Sequence, residues 1–357
     1  MPRKNIIIII GVVLFCFLVV VVLYAVSDPP FSYRQDFTRI HKLDAIKQLG
    51  ALDLQSSSYY IAGATQNQIF FGNEKDSLEL LVTDMSLGRL RHLRLSIVDE
   101  SRVSLKNSRI EVDSPYFYIK AGDLPGIFKG NLQQLQAKRI LEHTPYFRSA
   151  VSLSKKTFAL LAMGGEAGSK EAQNILTTVS SDTLHKKNAF IPRGQVDSYI
   201  SAMGMLRYSK GSSRLIYTYF YRNRYIVMDT SMNLLYEGNT LDTISRAQIK
   251  PVEVKKNFFT LASTPAIVNN NSQVYRNRLF IHSNLMANNE TREVFDKVSV
   301  IDVYDIVQDR YLFSFYLPDY NSTKIILFKI CGNKIVALYD HHVLTYALND
   351  DSYEKDT

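Results

Sequence analysis

The chain has 357 residues and a formal net charge of +8, and is 46% hydrophobic and 21% charged. That balance belongs to a globular protein with a sizeable core and excludes a disordered or collagen-like chain. The surplus charge is spread along the chain rather than gathered in a block, which argues against a nucleic-acid partner, and the two cysteines, Cys16 and Cys331, supply neither a disulfide framework nor a C-x-x-C metal pair.

Residues 1–5 carry Arg3 and Lys4, and Ile6 to Val26 follows without a charge. A helix needs about 20 apolar residues to cross a bilayer, so residues 6–26 read as a transmembrane signal-anchor. The run exceeds the about 7–15 residues of a signal-peptide core, which favours an anchor over a cleaved leader. The positive flank puts the N-terminus in the cytoplasm and the bulk of the chain outside, in the periplasm. The membrane is then the first expected partner. Residues 27–42, with Pro29-Pro30 and mixed charges, read as a linker.

From Leu43 the pattern is all-β. The abundance of Tyr (22) and Phe (19) biases the chain towards strands. Tyr59–Gly63, Gln68–Gly72, Leu78–Thr83 and Leu90–Ile97 form a first four-strand unit. Ser108–Val112, Tyr116–Ala121, Gly126–Lys129 and Leu135–Leu141 form a second. A third runs through Ser149–Leu153, Thr157–Met163, Ile175–Val179 and Ala189–Pro192. The clearest unit is the fourth: Met203–Tyr208, Leu215–Tyr221, Tyr225–Asp229 and Leu234–Glu237, with polar turns between the strands. A fifth holds Phe258–Ala262, Arg278–His282, Val298–Val307 and Tyr311–Leu317, with Asn269-Asn-Asn271 read as a loop. The sixth has only three strands, Lys324–Ile330, Lys334–Leu338 and Val343–Ala347.

Six such units over residues 43–348 predict a six-bladed β-propeller. The orphan strand Ala51–Leu54 fits the three-stranded last unit, so an N-terminal strand is expected to complete that blade and remove its open edge. Two packed β-sandwiches would use the same alternation but not this mismatch. Residues 349–357 read as a flexible tail.

Tyr217, Tyr219 and Tyr221 share one strand face in the fourth unit. They could stack on a ligand, with Arg222 and Arg224 beside them as anion contacts, or pack between blades. These five are the candidate ligand-face residues. His341-His342 is the most conspicuous pair for a metal, but strand alternation would separate the two rings and no third ligand is identifiable. His41, His92, His143, His185 and His282 are scattered. Asp99, Asp123, Asp197, Asp242 and Asp319 are loop carboxylates whose convergence the sequence does not determine. No G-x-G-x-x-G, P-loop or G-x-S-x-G motif occurs.

Gly204–Tyr208, Tyr217–Val227 and Leu234–Thr243, with Ser299–Tyr304 and Tyr311–Leu317, resemble a family of uncharacterised bacterial membrane-anchored six-bladed propeller proteins. The resemblance implies a neighbourhood of small membrane proteins with redox associations and carries over no catalytic residue. The expectation is therefore a non-enzymatic, membrane-anchored module that binds or assembles an envelope component, with no cofactor and no metal. The alternative is a metal-dependent propeller hydrolase or lactonase.

Overall fold

The computed structural model describes residues 3–26, 35–98, 105–121, 126–142, 144–166, 169, 171–181, 189–195 and 199–349. Asp99, Asp123, Asp197, His143 and His185 lie outside them, as do residues 27–34 of the expected linker and residues 350–357 of the expected tail. Two compact units result, Met1–Tyr33 and Arg34–Thr357.

The first unit holds one helix, Arg3–Val26. The expected transmembrane anchor is corrected here: among the described residues, no helix is long and apolar enough to cross a membrane. The single-pass topology, the membrane as partner, the periplasmic placement and the membrane-anchored part of the family resemblance rested on that span, and they fall with it.

The second unit is a six-bladed β-propeller. Blade one is Tyr59–Ala64, Gln68–Asn73, Glu79–Asp84 and Arg91–Arg94; blade two is Ser108–Asp113, Tyr116–Ala121, Gly126–Asn131 and Gln136–Leu141. The chain leaving blade one adds Ser96–Ile97 in parallel to the outer strand of blade two. Blade three is Phe147–Ser152, Thr157–Gly164, Gln173–Ser180 and Ala189–Phe190, and blade four is Gly204–Ser209, Arg214–Tyr219, Arg224–Met228 and Leu234–Asn239. Each middle strand is sandwiched between neighbouring blades and is buried on both faces. In Arg214–Tyr219 every residue after the first is therefore buried, whereas the outer strand Leu234–Asn239 is largely exposed.

Blade five differs from expectation. Its inner strand is Asn269–Tyr275, paired with Arg278–Ser283 and followed by Val298–Asp305 and Arg310–Pro318. Phe258–Leu261 instead pairs with Pro251–Lys255 in a separate hairpin. The three asparagines look like a loop because they are polar, yet in this position the amides of Asn269 and Asn271 serve the neighbouring blade, and that of Asn270 meets His282 of its own blade. Asn269 Nδ2 donates to the carbonyls of Tyr219 and Arg222 at 2.9 and 3.0 Å.

Blade six closes the ring. Ile46–Asp53 lies antiparallel on His342–Leu348, with Ala51 opposite Leu344 and Leu52 opposite Val343, outside Lys334–Tyr339 and Leu327–Cys331. One apolar cluster fills each of the six blade interfaces. Phe71 and Leu81 meet Val336 and Leu338 across the closing seam, for example, and Phe280 and Ile301 meet Ile335 and Ala337 between blades five and six. Cooperative burial between blades is the main stabilising term.

Ahead of the closing strand, residues 35–42 run along blade five. Lys42 N–H donates to Ser314 and Ser314 N–H to Ile40, at 2.9 and 2.8 Å. Arg39 is buried there. Its guanidinium grips the Asp302 carboxylate with Nε and Nη2 at 2.8 and 3.1 Å, donates to Glu290 at 2.6 Å, and reaches Ser283 Oγ and the Leu285 carbonyl. All five donors of a guanidinium cannot be satisfied without such a constellation.

Candidate metal centre

The closing strand ends at Asp53, and in the register of blade six Asp53 lies opposite His342. The chain reaches His342 from Tyr339 through a tight turn. Asp340 takes φ 39° in that turn, the left-handed region that Asp tolerates better than most residues. His341 is thus a turn residue and His342 the first residue of a strand, so the alternation that would separate their rings does not apply. The imidazole centroids lie 4.0 Å apart.

Asp53, His341 and His342 each offer a ligand atom, and these atoms lie within 4.8 Å of one another. His341 Nδ1 is 2.7 Å from Asp53 Oδ1, and His342 Nε2 is 4.0 Å from Asp53 Oδ2. The backbone holds the group together: Leu54 N–H donates to the His341 carbonyl at 2.7 Å, and Gln55 N–H to Asp53 Oδ1 at 2.7 Å. Hydrogen bonding to His341 and to the Gln55 amide holds the Asp53 carboxyl below the usual carboxylate range. The same contact raises His341 above the ordinary histidine value. A carboxylate with two imidazoles is a donor set that suits zinc and other divalent transition metals, with coordination positions left for water or substrate. The group opens onto a shallow depression of about 500 Å³ lined by Gln55, Ser56, Ser57 and Asp340.

The other sequence candidates lie elsewhere. Tyr217 and Tyr219 are buried in the core cluster between blades three and four, their rings edge to face at 5.3 Å, and Tyr217 Oη donates to the Ala202 carbonyl at 2.6 Å. Arg222 is also buried, its guanidinium 3.8 Å over the Tyr219 ring. Arg224 is exposed and pairs with Glu237 at 2.8 Å; Tyr221 is half-buried. None of the five lines the central channel. Asp242 is buried in a turn beyond blade four, accepting from Thr240 at 2.5 Å. Asp319 follows blade five, its N–H bonded to the Lys297 carbonyl.

Comparison with solved structures adds the fold. A member of the DUF4221 family from Bacteroides vulgatus aligns at TM-score 0.52 and 12% identity, covering 86% of this chain and 99% of the other. The likeness is one of fold. Virginiamycin B lyase from Staphylococcus aureus aligns at TM-score 0.46 and 12% identity over 85% of this chain and all of its own, below the level at which a shared fold follows. No family model matches the chain, and no curated protein does.

The expected non-enzymatic, membrane-anchored envelope module is corrected on two counts. It lacks its span among the described residues, and the histidine pair has beside it the candidate third ligand that the sequence did not supply. Asp53 was missed because it lies 288 positions from His341. The signal was the closing-strand pairing, which places the end of Ala51–Leu54 beside the start of Val343–Ala347.

Proposed function

We propose that this protein is a metal-dependent propeller hydrolase whose divalent ion is held by Asp53, His341 and His342. The observation that carries the reading is the convergence of these three donors, from opposite ends of the propeller sequence, within 4.8 Å. A divalent ion in such a site supplies an acidified water and a Lewis acid for an ester or lactone carbonyl. The protein's own groups fit the rest of the task. Asp340 Oδ2 lies 3.9 Å from His341 Nε2, placed to accept a proton beside the centre. Ser56 and Ser57 on the wall of the depression offer hydroxyls to a substrate oxygen. The open, polar shape suits a small ester or lactone better than a long apolar chain.

The test is calorimetric titration of the metal-stripped full chain with zinc and with manganese, followed by hydrolysis assays on p-nitrophenyl acetate and γ-butyrolactone. Binding of about one ion per chain, with hydrolysis that needs it, is expected. Both should disappear in the His341→Ala/His342→Ala double variant. Stoichiometric binding that survives the double substitution, or no binding at all, overturns the assignment.

A further inference from the structure

The second feature without an assigned role is the propeller axis. The inner strands of all six blades enclose a cavity of about 650 Å³, and the charged residues on its wall are Arg109, Lys120, Arg148, Arg207 and Lys329 against a single carboxylate, Glu111. Asp53, His341 and His342 are not on this wall, so the channel is separate from the metal centre.

Three of the cations project from different blades. Lys120 comes from the second strand of blade two, Arg207 from the inner strand of blade four and Lys329 from the inner strand of blade six. Lys120 is buried, paired with Glu111 and donating to the Ala150 carbonyl. Arg207 meets neutral acceptors, the carbonyls of Ser272 and Leu206 at 2.6 and 3.0 Å and Asn271 Oδ1 at 3.4 Å. Lys329 has no hydrogen-bond or ion-pair partner among the described residues; it is repelled by Arg207 and Lys210 and attracted, without direct contact, by Asp113. Converging cations with so little compensation are costly to hold in a protein interior. Around them the wall is apolar, with Ile61, Ala62, Val151, Leu206 and Phe328.

We infer that the central channel binds a small organic anion, one bearing two or more negatively charged oxygens on an apolar body, through Lys120, Arg207 and Lys329. A volume of about 650 Å³ lies within the range of small-molecule sites, and an apolar wall with few convergent polar groups is their usual make-up. Arg207 supplies a planar fork for a carboxylate or phosphate, and Lys329 and Lys120 supply point charges. Phosphate monoesters and dicarboxylates share this chemistry, and the probes separate them.

Lys120 adds a pH signature. Burial first, then the charges of Lys329 and Arg207, lower its ammonium to about 7; its ion-pair partner is Glu111. The other charged or titratable groups on the same wall are Arg109, Arg148, Tyr60 and Tyr146. Anion binding then favours the protonated lysine and weakens as pH rises through neutrality.

The experiment is calorimetry on the full chain with suberate, hexyl phosphate, inorganic phosphate and the neutral octane-1,8-diol. Saturable binding of suberate or hexyl phosphate is expected, whichever is tighter naming the head group, with inorganic phosphate at least about tenfold weaker and the diol silent. Lys329→Met and Arg207→Gln should each weaken the better ligand about tenfold or more while the melting temperature is kept, since Lys329→Met removes an uncompensated charge. Affinity for suberate should fall severalfold between about pH 6 and about pH 8 in the native chain, and fall less in Lys120→Arg. Binding no tighter than that of inorganic phosphate, binding unchanged in Lys329→Met, or no saturable binding overturns the inference.

Discussion

Arg39 is the residue on which the N-terminal segment turns. Its guanidinium is enclosed with Asp302 and Glu290, so Arg39→Ala leaves two buried carboxylates without a cation. Removing one partner of such a network costs about 3–5 kcal/mol, and urea denaturation should show a loss of that order; a loss below about 1 kcal/mol would mean that water replaces the guanidinium. Nothing in the sequence announced this role, because a single arginine in an irregular stretch reads as solvated. A second residue-scale effect comes from His282. Burial, with the Lys324 charge, lowers it to about 4. The unfolded chain binds that proton near 6.5 and the native chain does not, so the stability His282 contributes is complete above about pH 6.5 and is lost as pH falls towards 4. Asp242, pushed up to about 6 by burial, acts in the opposite sense, its contribution being lost as pH rises from about 4 to 6. Melting temperatures across about pH 4–7 should therefore decline less on acidification in His282→Gln than in the native chain; parallel curves would remove the histidine from the account.

At the scale of elements, the ring has two fastenings at its N-terminal side, and three chain starts separate them. A chain beginning at Arg34 retains both the Arg39 network and the closing strand. One beginning at Leu43 keeps the strand but abandons Asp302 and Glu290, so it should fold with a lower melting temperature. One beginning at Tyr59 loses Ile46–Asp53 as well, exposing the edge of His342–Leu348 and its apolar faces, and it should aggregate. Equal melting temperatures for the last two would show that the strand adds nothing. The blades themselves were legible because short apolar runs alternate with turn residues at regular spacing, and the closure because three strands at one end met one strand at the other. The inner strand Asn269–Tyr275 was not legible: its Asn269 amide bonds a neighbouring blade's backbone, a contact with no trace in local periodicity. The metal centre was half legible, since the histidines stood out and their carboxylate appeared only once the register of the closing strand was known.

For the molecule as a whole, the proposed metal centre spans the seam. Asp53 belongs to the first strand of the propeller and His341 and His342 to the last blade, so a bound ion joins the two ends of the ring. An ion present at about 100 times its dissociation constant should stabilise the folded chain by about 2.7 kcal/mol. A rise in melting temperature with zinc that is absent in Asp53→Asn would be the expected record, and an equal rise in both would place the ion elsewhere. Acid should release it, because His341 must lose its proton to coordinate and its pKa is raised.

The same seam sets an order of events during synthesis. Ile46–Asp53 leaves the ribosome among the first residues of the propeller, and its partner His342–Leu348 among the last. At about 5–20 residues per second the early strand waits for tens of seconds. Throughout that interval the first propeller strand is unpaired and the wheel behind it incomplete. Closure of the propeller is thus governed by the codons of blade six: a translation stall before His342 leaves an open ring, and a nascent-chain chaperone would meet its longest-lived target in Ile46–Asp53.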